Sequence, residues 1–147
     1  MTLTTEEALA LSAAQLDELF GSSPVGPIPR GRGAGTALAA PATRWSRPFA
    51  RAAALFWRGK RFEPVQDQLQ NLLTRFEFRL FRARVREEPS LVDGRPCIVL
   101  DYSKSSPLVR LVRDEIRQVG TGNYLGIVFV AKHRIPLRFW LHFPNGA

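Results

Sequence analysis

The residues with most scope for chemistry lie between Asp101 and Tyr124. Asp101 and Tyr102 end an apolar run, Arg113, Asp114, Glu115 and Arg117 mark the next segment, and Tyr124 opens the one after it. Neighbouring antiparallel strands would bring these groups together. A charge that faces an apolar interior needs a partner, because desolvation disfavours its ionised form. An inward Asp101 paired with Arg113, or Tyr124 set against either, would be a polar anchor for a carboxylate or carbonyl ligand. A carboxyl group with a raised pKa would also serve as general acid or base, which makes Asp101 and Tyr102 the candidate catalytic residues. The plainer alternative is structural pairing of alternating charges at a rim. Arg113, Tyr124, Trp140, His142 and Trp57 are the candidate ligand contacts, although a single histidine with no second ligand near it reads more simply as a surface residue.

Other motifs exclude chemistry. Cys97 lies in an apolar run, where a thiol packs as a small hydrophobe with a raised pKa. As the chain's one cysteine it forms no internal disulfide, and no Cys/His cluster has zinc-ligand spacing, so no metal site is expected. The glycines at 31, 33 and 35 match neither a phosphate loop nor a dinucleotide fingerprint. No cofactor is implied.

The elements that would position these residues follow from periodicity. Ser12 with Gln15 forms a capping box, Leu16, Leu19 and Phe20 share a stripe, and Gly21 is a stop, which predicts a helix over 12–20. Pro24, Gly26, Pro27 and Pro29 make residues 22–29 a stiff connector. Ser46 and Pro48 start a second amphipathic helix over about 46–58, with Phe49, Ala52, Ala53, Phe56 and Trp57 on one face and Gly59 closing it. From Lys60 onward the period falls to 2. Phe76, Phe78 and Leu80 alternate with charged residues, then the phase slips to Phe81, Ala83 and Val85, which predicts a bulge near Leu80 and Phe81. Asp93-Gly94 signals a hairpin joining an arm with Leu91 and Val92 to 97–102. Ser106-Pro107 can start one helical turn through Val112. Strands are expected over 113–119, 124–130 and 137–143, with a turn at Gly120 to Asn123.

No helix of a dozen residues separates the later strands, so the sheet must be antiparallel. The expected fold is mainly β, an up-and-down barrel of about 7–8 strands with two short N-terminal helices. Residues 1–29 supply a helix and connector, and 30–147 a single barrel domain.

Composition bounds the function. A chain of 147 residues with 45% hydrophobic and 23% charged content is one globular domain. Met1 to Leu11 contains Glu6 and Glu7 but no basic residue, and no apolar run approaches a membrane span, so a cytoplasmic protein is expected. The net charge of +8 comes from 21 basic residues against 13 acidic. Eight of the basic residues fall between Arg30 and Arg61 without an acid, suiting an anionic membrane surface or other acidic partner, or simply a solvated face. Nucleic acid is disfavoured, because 18 of the 21 are arginine, a bias that a GC-rich genome also produces.

The order of helix, Pro/Gly connector, glycine-patterned strand, amphipathic helix, Gly59-Lys60-Arg61-Phe62 and aromatic last strand resembles the calycin-type barrels. It is most similar to bacterial GXWXG-type domains, and more distantly to nitrobindin and the lipocalins. Gly31 and Gly35 match the outer glycines of that motif, while Gly33 stands at the tryptophan position, leaving Trp45 or Trp57 to plug the barrel floor. The resemblance implies a lipocalin-like barrel that binds an apolar or amphipathic small molecule. Haem, as in nitrobindin, would require an axial histidine, for which His133 and His142 are available.

Three functions follow: binding of a hydrophobic small molecule in a barrel cavity, cofactor-free cyclase or isomerase chemistry on such a molecule, or interaction through a basic surface. Neither the ligand nor the oligomeric state can be read from the sequence.

Overall fold

The computed structural model describes residues 3–39, 57–63, 68–73, 78–105, 107 and 109–144, with backbone alone at 39, 57–63, 68–73, 78–82 and 136. Two short helices, α1 (Thr5–Leu9) and α2 (Ala13–Ser22), precede eight strands among these residues. The strands are β1 (Gly31–Ala39), β2 (Trp57–Glu63), β3 (Gln68–Leu73), β4 (Phe78–Pro89), β5 (Pro96–Asp101), β6 (Val112–Gly120), β7 (Asn123–Val130) and β8 (His133–His142). Consecutive strands pair antiparallel, and β1 pairs with β8 as well as β2, so the hydrogen-bonded order returns to its first strand.

The capping box at Ser12 and Gln15 starts α2 as expected. Helix α1 was not anticipated, although Thr4 and Glu7 form the same reciprocal cap at its start. The amphipathic helix expected over 46–58 lies outside the described residues except for its last two positions. Those residues, Trp57 and Arg58, begin β2 rather than end a helix. The expected bulge is present, since Gln70 opposes Arg82 and Asn71 opposes Leu80, leaving Phe81 as the extra residue.

One local expectation changes. Asp93-Gly94 lies in a longer loop closed by the Ser90 N–H to Arg95 carbonyl bond at 2.9 Å, so Leu91 and Val92 are exposed loop residues, not a strand arm. Residues 103–105 and 109–111 are turns, the latter closed by Val112 N–H to the Val109 carbonyl at 2.9 Å, and Ser106 and Leu108 of the expected helical turn lie outside the described residues.

Alternation splits the sheet's apolar residues into two cores. The inner face buries Ala83, Val85, Ile98, Leu100, Tyr102, Ile116, Tyr124, Val128, Phe139, Leu141 and Phe143. On the outer face Leu38, Leu125, Ile127, Phe129 and Trp140 pack with Ala8, Leu16 and Phe20 of the helices. That second core explains why β7 is apolar on both faces: one meets the interior and the other meets α1 and α2.

Candidate functional site

Parity decides which charges enter. Ile98, Leu100 and Tyr102 face inward, so Asp101 between them faces out. In β6 Ile116 faces inward, as do Asp114 and the partly buried Val112, while Arg113, Glu115 and Arg117 lie on the other face. Asp114 is 4% exposed, and the Tyr102 hydroxyl donates to its Oδ2 at 3.3 Å. Register places Leu100 opposite Asp114. The inner face therefore holds a phenol and a carboxylate in contact among aliphatic and aromatic side chains.

The expected Asp101–Arg113 anchor does not form, although the two residues are register partners. Arg86 reaches Asp101 Oδ2 at 2.8 Å, and the Ser103 N–H donates to Oδ1 at 2.8 Å. Burial pushes the Asp101 pKa up, but the Ser103 and Arg86 hydrogen bonds outweigh it and hold the group below the ordinary value. Asp101 is thus a carboxylate on the outer side, not an acid with a raised pKa. Arg113 donates instead to Glu88 at 3.1 Å, Glu115 at 2.9 Å and the Pro89 carbonyl at 3.0 Å.

Tyr124 is fully buried at the opposite end of the interior from Tyr102, and its hydroxyl donates to the Pro27 carbonyl at 2.6 Å. Burial pushes its pKa up to about 12, so it remains a neutral donor. The connector lies across this end: Gln118 N–H bonds the Pro24 carbonyl at 3.1 Å, and Val25 packs on the inner core. The Phe143 ring lies against Gly33, where a Cβ would come within 2.5 Å, and meets Tyr124 edge-on at 5.8 Å. Phe143, the residue after β8, therefore fills the space beside Gly33. The side chains of Trp45 and Trp57, the residues expected there, lie outside those described.

The remaining candidates stand apart from the Tyr102–Asp114 pair. Trp140 is fully buried on the outer face beneath the helices, with its indole N–H unpartnered. His142 is exposed and bonds Asn123 through Nδ1 at 2.7 Å. Cys97 is buried, and desolvation raises its thiol pKa to about 12, which suits packing rather than nucleophilic chemistry. Of the basic residues between Arg30 and Arg61, the side chains of Arg30 and Arg32 are described, and both residues are exposed.

Sequence reasoning placed Asp114 in the right cluster but not in the site. The parity of Val112, Asp114 and Ile116 was the available signal. It also missed Arg117 as a structural hub: the guanidinium bonds both Asp93 oxygens at 2.7 Å and stacks 4.5 Å over the Phe20 ring. A groove of about 310 Å³ runs along Ser23, Pro24, Gln118 and Thr121, open to solvent. Among the described residues no cluster of three His, Cys, Asp or Glu side chains could hold a metal ion, and no helix is long and apolar enough to cross a membrane.

No protein-family model and no curated protein matches the sequence. The structure is similar to a crystal structure of a protein from Thermomonospora curvata, with 20% identity over 90% of this chain and 87% of that one and a TM-score of 0.63. At that identity the likeness concerns the fold.

Proposed function

We propose that the ring of strands is a lipocalin-like barrel that binds an apolar or amphipathic small molecule inside, with Tyr102 and Asp114 as its polar contact. The observation that carries this reading is the buried hydrogen bond between those residues within an apolar inner face. Burying a carboxylate costs solvation, and an interior needed only for packing would be served as well by two hydrophobic residues. A few polar groups in an otherwise apolar site are what orient a small ligand. The connector, Tyr124 and Phe143 occupy one end, and the Tyr102–Asp114 pair lies toward the other.

Native mass spectrometry of the freshly purified chain should show a retained small molecule, and an apolar fluorescent dye should bind saturably. Tyr102→Phe and Asp114→Asn should each weaken dye or ligand binding roughly tenfold, equivalent to about 1.4 kcal/mol for a lost buried hydrogen bond. Asp101→Asn should leave it unchanged. Binding unaffected by the first two substitutions would remove the anchor.

The same pair also supports a second reading, a cofactor-free cyclase or isomerase in which Asp114 accepts the proton. Turnover abolished by Asp114→Asn with affinity intact would favour the enzyme over the carrier.

A further inference from the structure

The strand ends at 101–112 and 130–134 meet at one end of the sheet, opposite the connector. The Ala131 N–H bonds the Leu111 carbonyl at 3.0 Å, which locks the turn before β6 to the β7–β8 hairpin. Leu111 is pinned through its backbone, yet its side chain is 56% exposed. Val109 in the same turn packs against the inner core, whereas Leu111 stays outside. The hairpin itself is strained: Ala131 and Lys132 both adopt left-handed φ, at 50° and 65°, in a two-residue loop that ordinarily selects asparagine and glycine. Strain of this kind persists where surrounding contacts enforce it, and it concentrates at functional surfaces.

Among the described residues of 101–112 and 130–134, Lys104, Arg110 and Lys132 are exposed cations, Arg134 is paired with Asp17 of α2, and the acid in these segments, Asp101, is tied to Arg86. An exposed leucine held among cations is complementary to a surface that is anionic outside and hydrocarbon beneath. A flat anionic polymer would match the cations but leave Leu111 without a role.

We infer that this end of the protein docks on anionic lipid bilayers, with Leu111 entering the headgroup boundary and Lys104, Arg110 and Lys132 meeting lipid phosphates. The inference stands apart from the ligand reading, because adsorption needs no cargo.

The test is sedimentation of the full chain with vesicles of phosphatidylcholine alone or mixed with phosphatidylglycerol. Binding should require phosphatidylglycerol and weaken at high salt. Arg110→Glu should reduce it about tenfold or more, and the uncharged change Leu111→Ser several-fold. Arg30→Glu, an equal charge change at an exposed site at the opposite end, should have little effect. All three positions are exposed, so unchanged melting temperatures should confirm intact folds.

Three results would overturn the inference. One is no adsorption to phosphatidylglycerol vesicles. Another is equal loss in Arg30→Glu and Arg110→Glu, which would mean net charge alone is at work. The third is binding of single-stranded RNA, sensitive to Arg110→Glu, without vesicle binding; that would make the surface a nucleic-acid site.

Discussion

Arg117 shows how one side chain holds three elements. Its five N–H donors reach Asp93 twice and the carbonyls of Phe20, Arg95 and Pro96, so α2, the β4–β5 loop and β5 are tied to β6 through one guanidinium. Every donor is used, which is what makes a fully buried cation tolerable. Arg117→Met should cost about 3 kcal/mol, read as a lower urea midpoint at constant m, because it leaves Asp93 and three carbonyls without their donor. The hydrogen bond from Arg117 holds the Asp93 pKa at about 2, below the usual 3.8. With a depressed folded value, this stabilisation is complete above the unfolded pKa and is lost as pH falls through about 4 toward 2. The acid limb of the stability curve should therefore flatten in Arg117→Met. Sequence spacing showed that Arg117 belonged to a charged strand, but it could not show that a loop carboxylate and a helix carbonyl converge on it.

At the scale of elements, Gly33 and Phe143 depend on each other across β1 and β8. Gly33→Trp, which completes the glycine-tryptophan-glycine pattern, should destabilise by about 1–3 kcal/mol because the new side chain enters the space of the Phe143 ring. Adding Phe143→Ala should recover part of that loss, a coupling that a double-mutant cycle of unfolding free energies would measure. Additive effects would mean that Phe143 does not occupy the tryptophan's place. The alternation of Leu137, Phe139, Leu141 and Phe143 was plain in the sequence, and so was the bulge at Phe81. The partner of each strand end was not, since it depends on register between distant segments.

For the whole molecule, the sheet offers two apolar faces and needs two coverings. β1 pairs with β8, the inner-face side chains pack against one another, and part of the outer face is covered by α1 and α2. Phe20, fully buried, anchors the outer covering, packing in the outer core and lying under Arg117. Phe20→Ala should cost about 3–5 kcal/mol, and hydrogen exchange should show the amides of α1 and α2 losing protection before those of β6 and β7. Uniform loss across the chain would argue that helices and sheet unfold as one unit.

Periodicity, capping boxes and turn residues determined by themselves that this chain makes antiparallel strands after a capped helix, because those signals are local and act over a few residues. They also located the polar cluster between Asp101 and Tyr124. Only the tertiary structure decided that Asp114 rather than Asp101 faces inward, that Arg113 answers Glu88 and Glu115, and that Trp140 lies beneath helices. Those outcomes turn on register and on which face a neighbour covers, and a one-residue shift in parity exchanges inside for outside.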